Sequence, residues 1–276
     1  VTNPKHAQET PRGRYYTDPA GGPALVSVTN VLDTAVSKPA LVPWGVKLTV
    51  EYVLDNITTI ARRVLIDRTG LTKEIKAIHR DARDRAADLG DRIHSAAEAY
   101  LLGAPIPDDS EVDPYLAQFK RWLASWGVDL DEHVVATEIT VFHRRLGYAG
   151  TADLLILLPT GPDGAMELWL IDFKTSATRP ASSVYPENTL QLAALRYAEV
   201  VILPDDTEQQ MPKVQRTGVL NLRAKSHALV PMPADRAAHR AFRGALEETK
   251  WLHVAPTSYA ALQPTPAGLR SNRKAA

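Results

Sequence analysis

The chain has 276 residues, 45% of them hydrophobic, with 32 basic and 32 acidic side chains and no cysteine. Balanced charge creates no overall field that draws in nucleic acid or membrane, so an anionic partner must be met by a local patch. The missing cysteine excludes disulfides, thiolate zinc sites, a cysteine nucleophile and a cysteine-held iron–sulfur cluster.

The apolar content suffices for one sizeable core. Residues 1 to 24, rich in Pro, Gly and polar groups, are expected to form a surface arm, and 253 to 276, ending in a basic cluster, a tail. Between them a single domain is expected over 25–252, mostly helical to about residue 130 and sheet-containing from 131. In "SVTNVLDTA", Ser27 or Thr29 offers a helix cap. Apolar residues at helical spacing predict helices over 46–66, 71–102 and 112–126. At His133 the period changes to two, and the runs 133–143, 148–158 and 166–174 read as strands. A helix over 186–201, strands over 214–222 and 227–231, and a helix over 234–252 follow. From His94 onward the order is helix, three strands, helix, strand, an α/β or α+β core in which a meander is followed by a helix crossing back to a further strand. No segment approaches the about 18 apolar residues that span a bilayer, and the first residues lack the apolar core of a signal peptide; a cytoplasmic protein without membrane partners is expected.

The strand "LWLIDFKTS" places Asp172 and Lys174 on one face and Ile171 and Phe173 on the other. Alone, that pair is a strand-end ion pair worth under about 1 kcal/mol. Upstream, Gly147 and Gly150 open a strand whose apolar run is interrupted by Asp153. The short turn over 159–165 lets the two strands pair, which brings Asp153 and Asp172 to the same end of a hairpin. Carboxylates that close repel unless a cation lies between them. Hard oxygen ligands with an open side suit magnesium or manganese better than zinc.

Gly90, His94 and Glu98 recur every four residues and so share a helix face. Glycine costs about 1 kcal/mol inside a helix, which suggests that another backbone approaches closely at Gly90. Gln191 interrupts an otherwise apolar helix, and a buried amide needs partners. Each feature also has an ordinary structural explanation: a turn-capping Asp153, a solvated His94–Glu98 face, a capping Gln191. The stripe Tyr115, Phe119, Trp122 and Trp126 reads as core packing before it reads as a base-stacking platform.

Taken in order, Gly90-x3-His94, Gly150-x2-Asp153, Asp172-x-Lys174 and Gln191 resemble the PD-(D/E)XK nuclease superfamily, and within it the RecB-like, phage-type exonucleases. The likeness extends to "SVTNVLDTAVSKPALVPWGVKLTVEYV" and covers roughly residues 25 to 200. It implies a restriction-endonuclease-like αβββαβ core, a central mixed sheet flanked by helices, here with an N-terminal helical extension. By the same resemblance Asp153, Asp172, the Phe173 backbone carbonyl and His94 are metal ligands, Lys174 is the catalytic lysine, Gln191 is the helix glutamine and Glu138 a further acidic position.

The implied cofactor is one or two Mg²⁺ or Mn²⁺ ions, and the implied reaction is phosphodiester hydrolysis at the ends of linear DNA, in phage recombination, repair or processing. DNA is the implied partner, with a phage recombination or single-strand annealing protein beside it, in the host cytoplasm if the chain is phage-encoded. Arg62, Arg63, Arg144, Arg145 and Gln191 are candidate DNA contacts, with Arg80, Arg83 and Arg85 on the helices and Arg270, Arg273 and Lys274 in the tail. One departure stands out: the tyrosine expected four residues after the glutamine is Leu195, and Tyr197 lies two further, on another face. A site-specific endonuclease and a non-cleaving DNA-binding relative remain alternatives. A phosphate-loop ATPase is disfavoured, because "GPDGAM" lacks the lysine and hydroxyl that cradle phosphate.

Overall fold

The computed structural model describes residues 4–203 and 205–262. In chain order these form β1 (Ala7–Thr10), β2 (Gly13–Tyr16), β3 (Leu25–Ser27), α1 (Val28–Ala35), α2 (Leu41–Asp55), α3 (Ile57–Arg63), α4 (Arg68–Leu101), α5 (Asp113–Ser125) and the short α6 (Leu130–His133). The second half forms β4 (Val134–His143), β5 (Tyr148–Leu158), β6 (Glu167–Thr175), α7 (Pro186–Arg196), β7 (Val200–Ile202), β8 (Glu208–Gln210), β9 (Arg216–Leu222), β10 (His227–Pro231) and α8 (Arg236–Val254).

The change of period at His133 is the start of a mixed sheet. Strands β4, β5 and β6 are antiparallel neighbours, β6 pairs β9 in parallel, and β10 closes that side against β9. On the other side β7 pairs β4, and β8 pairs β7. Helices flank both faces, an α+β arrangement. Ile93, Ala97, Phe119 and Trp122 of α4 and α5 pack on Ile156, Ile171 and Phe173, while Val31, Leu192 and Phe242 of α1, α7 and α8 pack on Val141, Leu155 and Leu170. The aromatic stripe of α5 is therefore core. None of the helices among the described residues is long and apolar enough to cross a membrane.

Three sequence expectations need correction. Within the expected arm over 1–24, β1 and β2 form a hairpin that joins the sheet through β3, with Tyr15 opposite Val26. Gly13, at φ +92°, follows the Pro11–Arg12 turn as the first residue of β2, and a Cβ there would lie 2.7 Å from the Asn30 amide that ties Arg12 and Arg14. The helix expected over 46–66 is two helices, broken at Asn56 (φ −115°, ψ 17°). The helix expected to run to 201 ends at Arg196; the β-branched run that follows, Val200–Ile202, pairs with β4 instead.

Gly150 shows why α7 sits where it does. A Cβ there would come within 2.9 Å of Leu195 and 3.1 Å of Val28, so β5 is in direct contact with α7 and α1. Leu195, standing where a tyrosine was expected, is the residue that fills this contact. Gly150→Ala is expected to lower unfolding free energy by about 1–3 kcal/mol through overpacking, measured by denaturant titration.

At the far end of the sheet His239 stacks on Tyr197 at 5.1 Å and on His143 at 6.1 Å, with its Nε2 3.1 Å from the Tyr148 hydroxyl. Burial, aided by His143, Arg243 and Arg236, pushes its pKa down from 6.5 to about 4. A depressed folded value means that unfolding takes up a proton below pH 6.5. Stability is thus whole above that pH and falls as the pH drops toward 4. His239→Gln is expected to remove about 1–2 kcal/mol of that decline, allowing for partial exposure, in melts compared at pH 7 and 4.5.

Candidate metal centre

The site is built where two strands part. The β5–β6 ladder runs from Leu158 opposite Glu167 to Leu154 opposite Ile171, after which β6 continues along β9 as far as Thr175. Lower on the same edge of β5, β3 pairs only Tyr148 and Ala149. Asp153 stands in the fork, and one more step of the register sets it across from Asp172. Its Oδ2 accepts the Phe173 backbone N–H at 2.5 Å, so a carboxylate takes the place of the interrupted ladder. The Thr137 hydroxyl donates to the Asp153 carbonyl at 2.9 Å.

On the other side of β5, Glu138 of β4 faces Asp153 in register, between Thr137 opposite Leu154 and Ile139 opposite Ala152. Its φ of +48° lies in the left-handed region, which side chains other than glycine rarely adopt and which costs about 1–3 kcal/mol. Strain of that kind persists where the surroundings hold it. From above, α4 brings His94, with Nδ1 3.6 Å from Asp153 Oδ2 and the ring set edge-on to Phe173 at 5.6 Å. His94, Glu138 and Asp153 each offer one ligand atom within 4.8 Å of one another. A filled site draws neighbouring ligands to about 3 Å, the spacing that metal–oxygen distances near 2.1 Å imply, so modest closure of side chains is needed.

At Gly90 the close neighbour is the Thr175 hydroxyl, 3.2 Å from where a Cβ would stand, rather than the backbone that the sequence suggested. The helix is thereby allowed down onto the end of β6. Glu98, a turn beyond His94, lines with Glu138 and Thr137 a cleft of about 390 Å³.

Asp172 is 2% exposed. Its Oδ1 accepts from Gln191 Nε2 at 2.6 Å, while Oδ2 lies 2.7 Å from Lys174 Nζ without hydrogen-bond alignment. Gln191 therefore orients the acid, and Oδ2 keeps donor capacity toward a cation. Burial pulls the Lys174 pKa down, but the charges of Asp172 and Asp153 outweigh it, so the net direction is up and the group is an ammonium.

Electrostatics favour a cation. Burial raises Asp153, the nearby Asp172 charge adds to the rise and His94 opposes it. Glu138 is pushed up to about 9, by burial first and then by Asp153, Glu98, Asp172 and Asp91. Acids whose charged forms are disfavoured by burial and by one another are under-compensated, and a divalent ion among them relieves burial and repulsion together. One imidazole nitrogen with carboxylate oxygens is a donor set that accepts Mg²⁺ or Mn²⁺.

Other candidates lie elsewhere. Arg144 and Arg145 occupy the β4–β5 turn, six residues from Glu138 and so about 20 Å along the strand. Arg144 holds buried Asp18 at 2.5 Å and Glu208, and Arg145 holds Glu199. Their visible role is to tie β-strand ends together. Arg63 of α3 pairs with Glu74 of α4 at 2.7 Å, and Arg62 beside it is exposed. Gln191 serves Asp172, and Tyr197 belongs to the His239 stack. Arg270, Arg273 and Lys274 lie outside the described residues.

Two groups escaped the sequence. Asp91, three residues before His94, adds its charge at Glu138; helical spacing alone could have flagged it. Arg223, buried at the end of β9, donates to the carbonyls of Lys174 at 3.0 Å and Arg179 at 2.7 Å and to Asn221 Oδ1 at 3.0 Å. It clamps the strand end that carries the lysine, and nothing in "NLRAKS" distinguishes it from a surface arginine.

No family model matches the chain, and no curated protein matches it. Solved structures similar to it include one titled "Crystal structure of SSO0001", with 14% identity over 72% of each chain and a TM-score of 0.33.

Proposed function

We propose that the chain is a divalent-metal-dependent deoxyribonuclease with a PD-(D/E)XK core, acting on the ends of linear DNA. The observation that carries this reading is the convergence of His94, Glu138 and Asp153 at the strand fork, with the buried Asp172 and the Lys174 ammonium beside them. The order α4, β4, β5, β6, α7, β9 agrees with the αβββαβ core, β7 and β8 being additions at one sheet edge.

His94, Glu138 and Asp153 would hold one Mg²⁺ or Mn²⁺, and Asp172 Oδ2 would contribute to the same or a second ion. When bound, such an ion supplies Lewis acidity toward a phosphoryl oxygen and the attacking water. The protein's own groups do the rest. The Lys174 ammonium, kept charged by Asp172, offsets the charge that builds on phosphate oxygens in the transition state. Gln191 fixes Asp172, and the Phe173 amide fixes Asp153, so neither acid must reorganise as charge develops. No iron–sulfur cluster takes part, since the chain has no cysteine. In this reading the enzyme processes DNA ends during recombination or repair, in the cytoplasm where that DNA lies, the host's if the chain is phage-encoded, with a recombination or single-strand annealing protein as partner.

Incubation of end-labelled linear DNA and covalently closed circles tests this. With Mg²⁺ or Mn²⁺ linear DNA is expected to be degraded while circles survive, and a chelator is expected to stop the reaction. Cleavage of closed circles at the same rate would instead identify an endonuclease, and full activity in chelator would exclude the metal reading.

A further inference from the structure

Helix α2 contains no buried residue, although most of its sequence, "LVPWGVKLTVEYVLD", is apolar. One side lies on α4, where the Tyr52 hydroxyl donates to Glu74 and Gly45 stands against His79, 3.4 Å from the position a Cβ would take. Beside those contacts the helix carries Val42, Val46, Val50 and Leu54, exposed by 73, 59, 49 and 65%. Residues four apart form one straight row along a helix. Ile57 extends the apolar surface into α3, and Val42, Val46 and Val50 form one wall of an open groove of about 550 Å³ whose other wall is His79 and Arg83 of α4. A helix that meets only water on this side carries charge there, not a row of aliphatics.

We infer that this row is the interface between two copies of the chain, paired antiparallel across a two-fold axis that passes α2 midway between Val46 and Val50. The spacing is its own mirror image about that point. Reversal sets Val46 against Val50 of the second copy, and Val42 toward its Leu54, as an isologous contact requires. Lys47 and Glu51, which pair at 3.6 Å within one helix, flank the row on one side. The two-fold keeps that flank on the same side of both copies, with each Lys47 two positions from both Lys47 and Glu51 of the second copy, so the flank is neutral and leaves the apolar row to set the contact. The five exposed side chains offer on the order of 500 Å² of apolar surface per copy, hence about 1,000 Å² for a pair, the threshold of a specific interface. DNA fits this row poorly, since a phosphate backbone asks for cations and the two beside it, Lys47 and the groove-lining Arg83, are each already paired with an acid, Glu51 and Asp84.

Light scattering of the full chain tests the inference without reference to catalysis. The parent is expected at twice the chain mass at micromolar concentration, and V46E/V50E at the single mass with unchanged far-UV circular dichroism. These positions face solvent in one copy, so loss of association without loss of fold is the expected signature. The chain has no cysteine of its own, which makes register testable by oxidation. V46C mixed with V50C is expected to give a disulfide-linked pair, and V42C mixed with V46C is not, because the latter positions lie about 12 Å out of register at 1.5 Å per residue. A parent at the single mass, a dimer that survives V46E/V50E, or the reverse cross-linking pattern would overturn the interface.

Discussion

Asp172→Ala and Lys174→Ala are each expected to slow metal-dependent cleavage of linear DNA by at least about a hundredfold, a loss of about 2.7 kcal/mol of transition-state stabilisation. The two act as a unit. Asp172 holds the lysine at 2.7 Å and is itself held by Gln191 at 2.6 Å, so removal of the acid frees both neighbours. Removal of the lysine leaves a buried carboxylate without its cation. Effects of residues that act together do not add, so the double variant is expected to be little slower than either single one. Retained thermal unfolding transitions in all three separate loss of chemistry from loss of fold. Two single variants as active as the parent would remove Lys174 and Asp172 from the reaction.

The second large effect concerns the metal itself. Manganese is expected to raise the Tm of the parent, since a ligand at about 100 times its Kd adds about 2.7 kcal/mol to the folded state. Asp153→Asn is expected to lose that increment almost entirely. Without metal the same variant is expected to be no less stable than the parent, because it removes a buried carboxylate held near other acids while keeping an oxygen for the Phe173 amide. A substitution that harms function and spares stability marks a site whose charge is there for a ligand. Glu138→Gln is expected to behave alike and more weakly, as Glu138 is the more accessible of the two acids. Equal manganese stabilisation of parent and Asp153→Asn would place the ion elsewhere.

Much of the arrangement can be read from residue order because its contacts are local. Asp153 and Asp172 meet through a hairpin whose length depends on one short turn, and His94 follows from a four-residue repeat on one helix. The β4 to β6 strands show themselves by alternation, and the α5 aromatics by helical spacing. What stays hidden depends on distant or disguised partners. Asp18 and Glu208, 126 and 64 residues away, hold Arg144, and nothing in the residues around it announces either partner. The β1–β2 hairpin is masked by the Pro- and Gly-rich segment around it, and β7 by a helix that ends only a few residues earlier on an equally apolar run. Arg223 binds backbone carbonyls, which leave no mark in side-chain pattern at all.

Anomalous diffraction from crystals soaked in Mn²⁺ can locate the ion without any assumption about substrate. A peak within coordination reach, about 2.0–2.3 Å, of His94, Glu138 and Asp153 oxygens and nitrogen, next to the Lys174 ammonium, is the predicted result. Soaked crystals that show no peak in the strand fork, while the same protein still cleaves DNA with manganese, would contradict it.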